Sequence, residues 1–313
     1  MALEQTDLVS VVVPVFNEAT GIHDFHERTT RVLETVPGAG HELVYVDDGS
    51  SDDSYAKLAA FAEADERVRV IKLSRNFGHQ IAITAGMDHS RGDCVVVIDS
   101  DLQDPPEVIC EMVEVWRKGF DVVYGVRRQR PGESPLKLAT AAAFYRILRR
   151  IVGIDIPLDA GDFRLLSRRA LNELGRMREK DRFVRGLVSW IGFRQTGVEY
   201  DREERHAGET KYPYSKMFKF ALDGITSFSS LPLRLATWLG WVTSAVAFAY
   251  LASLPLQKWV WGITVQGFPT IMASVLFIGG VQLICLGIMG EYLGRVFNEV
   301  KPRPLYLVEE RLG

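Results

Sequence analysis

The sequence predicts an α/β protein with a mainly parallel sheet and helices on both faces, continued by an amphipathic helix and two membrane spans. Two observations carry that reading. Strand-length runs rich in β-branched residues alternate with helical patterns over roughly the first 124 residues, which implies right-handed crossovers between parallel strands. Charge then drains from the C-terminal part: residues 1–230 hold 31 of the 37 Lys and Arg and 36 of the 40 Asp and Glu, whereas 235–290 contains only Lys258.

The runs at 8–15, 43–46, 68–73, 94–98 and 121–124 read as strands. The stretches at 22–36, 55–64, 80–89 and 106–118 read as the helices between them. Together they place a soluble α/β domain at 1–211. From Tyr214 to Phe228, apolar residues recur at three- and four-residue spacing with Lys216, Lys219 and Asp223 between them. That pattern suits an amphipathic helix at 212–231, either packed on the domain or lying on a membrane surface; the spans that follow favour the surface.

Residues 235–256 run 22 positions without a charge, about 33 Å of helix against a hydrocarbon core of roughly 30 Å. Residues 268–290 repeat the pattern, so two spans are expected within 232–294. The connection at 255–267 carries Trp259 and Trp261, which suit a lipid–water interface, and a single Lys. Lys216, Lys219 and Arg234 precede the first span, and Arg295, Lys301 and Arg303 follow the second. The positive-inside rule therefore puts the domain, both termini and a tail at 295–313 in the cytoplasm, on the inner or plasma membrane.

Composition excludes several classes. A net charge of −3 over 313 residues offers no overall basic surface for nucleic acid. Cys94, Cys110 and Cys285 lie far apart without a C-x-x-C spacing, which supports neither a disulfide framework nor a zinc ribbon and suits a reducing cytosol. The N-terminal stretch lacks the charged, apolar and small-residue pattern of a signal peptide. G-x-G-x-x-G after the first strand and G-x-x-x-x-G-K-[ST] are both absent, which removes the main support for dinucleotide and P-loop readings.

Polar residues instead gather at the strand ends: Pro-Val-Phe-Asn-Glu at 14–18, Asp-Asp-Gly-Ser-Ser-Asp at 47–52, Ser-Arg-Asn-Phe-Gly at 74–78 and Asp-Ser-Asp-Leu-Gln-Asp at 99–104. In open α/β sheets, ligands bind at the carboxyl ends of strands. Any one of these stretches also reads as turn and cap chemistry, but four in a row line a crevice. Carboxylates alone would repel a diphosphate, so such a crevice needs a divalent cation. Asp99 and Asp101, at the end of the buried Val95–Ile98 run, offer hard oxygen ligands and leave positions for phosphate oxygens.

In this order the four motifs resemble those of the family-2 GT-A glycosyltransferases, and within them the polyprenyl-phosphate glycosyltransferases, which include dolichyl-phosphate mannose synthases and bactoprenol glucosyltransferases. The resemblance extends to 124–127, 161–164, 205–212 and the two spans. It implies a GT-A, Rossmann-like fold. Pro14, Phe16, Glu18 and Asp48 would contact the base and ribose, with Asn17 and Asn76 in the same nucleotide-sugar set. Asp99, Asp101 and Gln103 would surround Mg2+ or Mn2+, and Asp162 would stand nearest the reacting centre.

The Ser-Arg-Asn-Phe-Gly motif and the two-span tail look more like the undecaprenyl-phosphate branch, which takes UDP-sugars, than like GDP-mannose enzymes. The implied reaction moves a hexose such as glucose from a UDP-sugar to undecaprenyl phosphate, with inversion. An anionic acceptor meeting an anionic donor needs cations, for which Arg127, Lys137, Arg205 and Lys211 are candidates. Arg205 is also counted with the catalytic set. A GDP-mannose-dependent enzyme, a processive polysaccharide synthase and a nucleotide-sensing membrane scaffold are the rivals. The missing Q-x-x-R-W motif disfavours the synthase and the Asp99/Asp101 pair the scaffold. Whether protomers assemble into a homo-oligomer stays open.

Overall fold

The strands that read as unbroken apolar runs do so because they are covered on both faces. In the computed structural model, which describes residues 7–128, 160–180, 182–202, 231–261 and 267–313, Val9, Val11, Val12 and Val13 of β1 (Asp7–Val15) are all fully buried. Val9, Val11, Val13 and Val15 pack with Phe25 of α1 (Ile22–Glu34), Leu58 of α2 (Ser54–Ala64) and Met112 of α4 (Val108–Arg117). Across the sheet, Gly86 of α3 (His79–His89) sits so close that an added Cβ would lie 2.2 Å from Val12 and 3.1 Å from Val46. Helices therefore clothe both faces, as the strand–helix alternation requires.

The sheet has eight strands in the order β7-β5-β6-β4-β1-β2-β3-β8. β1, β2 (Ala39–Asp47), β3 (Val68–Leu73) and β4 (Cys94–Val97) run parallel, so their carboxyl ends share one edge of the sheet. β6 (Ala160–Ser167) lies antiparallel between β4 and β5 (Val122–Arg127), while β7 (Gln195–Tyr200) runs parallel to β5. This insertion brings the amino end of β6 and the carboxyl ends of β5 and β7 to the same edge as the four parallel strand ends.

Several elements differ from the sequence reading. β5 continues to Arg127, three residues beyond the expected strand. β6, β7, α5 (Arg168–Arg176) and α6 (Val184–Trp190) had no counterpart in it. The 295–313 stretch, expected as a tail, divides: its first part continues a helix to Val300, and β8 (Val308–Leu312) pairs antiparallel with β3. Tyr55 Oη donates to Glu310 at 2.6 Å, Lys72 Nζ lies 3.3 Å from Glu309, and Tyr306 Oη donates to Asp88 at 2.9 Å. β8 thereby covers an edge that would otherwise expose unpaired backbone groups.

Two compact units result: residues 1–149, 153–211 and 303–313 form one, and 150–152 with 212–302 the other. The second contains α7 (Leu231–Trp261) and α8 (Phe268–Val300), which contact each other as a helical hairpin. Both helices exceed the spans read from charge at 235–256 and 268–290. Within α8, the Phe277–Val300 segment is long and apolar enough to cross a membrane, and it is the one such segment among the described residues. The expected amphipathic helix at 212–231 lies outside the described residues apart from Leu231, as do 262–266 of the connection.

Candidate active site

Each strand of the parallel set ends in residues that the next turn re-aims. After Val15, Asn17 adopts φ 56° and its Oδ1 accepts the Ser51 N–H at 2.8 Å, stapling the first loop to the second. After Asp47, Gly49 adopts φ 72°, and an added Cβ would lie 2.6 Å from the backbone of Arg75 and Asn76. Only glycine fits there. The turn lets Asp48 reach the third loop, where its carboxylate accepts backbone N–H groups of Phe77 (2.7 Å) and Gly78 (2.9 Å). Burial outweighs those two bonds and leaves the Asp48 carboxyl above its ordinary range.

These loops enclose a cavity of about 310 Å3 lined by Pro14, Phe16, Glu18, Asp48, Asn76, His79, Asp99 and Asp101, among others. Seven of the residues assigned from the motifs thus meet in one place. Phe16 is 47% exposed, so a flat aromatic face is available at the cavity. Beyond β4, Leu102 adopts φ 56° and is almost fully buried, a left-handed conformation unfavourable for a γ-branched side chain. Asp101 Oδ1 accepts the Gln103 N–H at 3.1 Å across this turn.

Residues 10–175, which contain all of these loops, match the family described as glycosyl transferase family 2. The chain belongs to that family. Residues 231–296 match the GtrB C-terminal hairpin. The chain is 50% identical to the Bacillus subtilis glycosyltransferase YkcC, over 97% of this chain and 94% of that one. It is 42% identical to the prophage bactoprenol glucosyl transferase homolog of Escherichia coli K12, over 96% of this chain and 98% of that one. It is also 42% identical to the bactoprenol glucosyl transferase of Shigella phage SfX, over 97% and 99% of the two chains. The protein is accordingly a family-2 glycosyltransferase with an α/β sheet that fits the GT-A type.

In this glycosyltransferase the amino end of β6 supplies the residue that the strand-end motifs could not place. Register pairs Arg164 with Val97, which sets Asp162 beside Asp99. His79 Nε2 lies 3.5 Å from Asp99 Oδ1 and 3.4 Å from Asp162 Oδ2, bridging the two carboxylates. Arg185 of α6 grips Asp162 with both prongs, at 2.8 and 3.1 Å, and Gln80 adds a bond at 3.2 Å. Burial alone would raise the Asp162 carboxyl, but the His79 and Arg185 bonds overcome it and hold Asp162 far below the usual carboxylate range. It is a firmly ionised, positioned carboxylate, which makes it a poor proton acceptor.

Asp99 shows the opposite balance. Burial, only partly offset by His79, pushes its carboxyl up to about 6, with Asp162, Asp104 and Asp101 adding repulsion. Its Oδ1 is buried and accepts no hydrogen bond. His79 itself loses by burial but gains more from the Asp162 bond and the Asp99 charge, and its pKa lies above the ordinary histidine value. Arg164, fully buried behind Asp162, is pushed down to about 10 by desolvation, and its Nε has no hydrogen-bond partner.

Other assignments fall elsewhere. Gln103 accepts from Arg202 through its Oε1, and Arg202 also approaches buried Asp104 at 3.8 Å. Arg127 stands at the site edge, with Nε 3.2 Å from Tyr200 Oη and a second nitrogen 3.6 Å from Asp104. Asn17 braces loops rather than lining the cavity. Lys137, Arg205 and Lys211 lie outside the described residues. Sequence reading left His79 unassigned and missed Gln80, Arg185, Tyr200 and Arg202. Arg185 left no signal because its helix has no motif and a short apolar run. Arg202 sits three residues before Arg205, whose 205–212 motif drew the assignment instead.

Proposed function

We propose that this glycosyltransferase moves a hexose such as glucose from a UDP-sugar to undecaprenyl phosphate at the cytoplasmic face of a membrane, inverting the anomeric centre. The carrying observation is that identity to proteins named bactoprenol glucosyl transferase runs through both the strand-end loops and the C-terminal hairpin. The cavity supports the donor side: Phe16 offers a ring face to a base, while Asp48, Asn76 and Glu18 offer polar groups to a nucleoside.

The donor set also fits a divalent cation. Asp99 keeps a buried oxygen without a hydrogen bond, and Asp101 stands two residues on, just before the left-handed Leu102. Among the described residues no group of three or more His, Cys, Asp or Glu side chains is arranged to hold a metal ion by itself. That suits Mg2+ or Mn2+ held by one or two carboxylates together with substrate phosphates. When bound, such an ion stabilises negative charge on the departing nucleotide diphosphate. Asp162, locked by Arg185 and His79, orients a sugar hydroxyl or the acceptor. No strong base is required, because a phosphate monoester is already anionic at neutral pH.

Both α7 and α8 are read as spans. Trp238, Trp241 and Phe248 on α7 and Leu283 and Leu293 on α8 are each about 69–76% exposed, surface that lipid would cover. The Lys and Arg distribution orients the domain and both termini toward the cytoplasm. The test is to incubate the purified full-length protein with undecaprenyl phosphate, Mg2+ or Mn2+, and UDP-glucose, UDP-galactose, UDP-N-acetylglucosamine or GDP-mannose, then weigh the lipid product. One hexose added from a UDP donor is expected. Transfer from GDP-mannose alone, growth of a polymer or no lipid product would overturn the reading.

A further inference from the structure

One face of α7 is not explained by anchoring alone. Arg234, Thr237, Trp238, Trp241, Val242 and Ala245 line a cavity of about 640 Å3. Their spacings of three and four residues put them in a single stripe, about 17 Å long. Trp238 and Trp241 are 69% and 70% exposed and wall the groove with rings, and Ala245 leaves it open at the far end. Thr237 spends its hydroxyl on the Leu233 carbonyl at 3.0 Å, inside the helix. Among the described residues Arg234, in the first turn, is therefore the charged group of the wall, and it has no ion-pair or hydrogen-bond partner among them.

A cation at one end of an apolar, aromatic stripe complements an amphiphile with an anionic head and a single long apolar tail. We propose that this groove is a subsite for the polyprenyl phosphate acceptor, with the Arg234 guanidinium on the phosphate and the first isoprene units along Trp238 and Trp241. Charge favours this occupant over an ordinary diacyl phospholipid. A phosphate monoester carries close to two negative charges and presents oxygens to both prongs of a guanidinium, whereas a diester carries one. Shape agrees, since a stripe on one helix face holds one chain. The inference rests on the acceptor reading above and adds Arg234, which the sequence marked only as a topology determinant, to the acceptor site.

The test uses the full-length protein in lipid nanodiscs and undecaprenyl phosphate carrying a photoreactive diazirine near its phosphate end. The label is expected on the peptide spanning 234–245, displaced by unlabelled undecaprenyl phosphate and not by equal phosphatidylglycerol. Arg234→Ala should cut labelling about tenfold or more, the loss of one charge-assisted contact, and Arg234→Lys should restore part of it. In the transfer assay, Arg234→Ala should raise the KM for lipid by a similar factor with the KM for UDP-sugar unchanged. Labelling confined to other peptides, equal displacement by phosphatidylglycerol, or an unchanged lipid KM would overturn the subsite. Labelling needs no turnover, so a protein that transfers sugar to no polyprenyl phosphate would sink the proposed function while the groove is still decided.

Discussion

Asp99 and Asp101 share a loop but not an environment, and their substitutions should separate function from stability. Asp101→Asn keeps side-chain volume while removing a charged ligand, so transfer should fall by orders of magnitude and thermal unfolding should barely move. Near-normal turnover at saturating Mn2+ would remove Asp101 from the cation site. Asp99→Asn should also abolish transfer, yet it should stabilise the metal-free protein. Its carboxyl titrates near 6 in the fold against about 3.8 unfolded, so the folded state binds more protons in that window and loses stability as pH rises through it. The expected gain is on the order of 1 kcal/mol at pH 7, reduced by screening because 36% of the side chain is exposed, and it should vanish below pH 4. Unfolding midpoints at pH 4 and pH 7 without metal would check both the sign and the window.

At the scale of elements, the packing of α3 on β1 and β2 carries the third loop, and with it Asn76, Gly78 and His79, to the cavity. Gly86 permits that contact. Gly86→Ala would drive a methyl group to 2.2 Å from a Val12 carbon that belongs to a stiff, β-branched side chain. The helix must lift, at a cost of about 1–3 kcal/mol. Because the lift also moves His79 away from Asp99 and Asp162, transfer should decline beyond what the unfolded fraction explains. Denaturant melts paired with specific activity of the folded fraction would show it. An unchanged melt would mean that the sheet yields there without strain.

The whole molecule is joined twice, since the chain leaves the catalytic unit for the hairpin and returns to it as β8. A chain ended at Ala207 therefore loses more than its membrane anchor. It also uncovers the β3 edge and forfeits the Tyr55–Glu310, Lys72–Glu309 and Tyr306–Asp88 contacts. It should melt earlier and aggregate more than a chain of 1–207 joined to 303–313 by a Gly/Ser linker. Both shortened proteins should transfer poorly to undecaprenyl phosphate, because anchoring to the acceptor's own membrane raises effective concentration by as much as ~10²–10⁴-fold. Calorimetry, light scattering and the lipid assay, run on both, would separate the edge effect from the anchoring effect. Equal melting would show that β8 contributes little.

What the sequence by itself determined is local. Unbroken Val-rich runs marked strands buried on both faces, polar clusters marked their carboxyl ends, and the near-absence of charge across 235–290, broken only by Lys258, marked the hairpin. Such features are visible because one segment and its immediate neighbours produce them. The tertiary structure decided what depends on segments far apart. Only the antiparallel insertion of β6 puts Asp162 beside Asp99, only α6 supplies the Arg185 that joins His79 in keeping it ionised, and only the return of the chain makes 308–312 a strand rather than a tail. Asp162 was legible only through the family resemblance at 161–164, whereas Arg185 and 308–312 carry no local signature, because their partners lie 23 to 255 positions away.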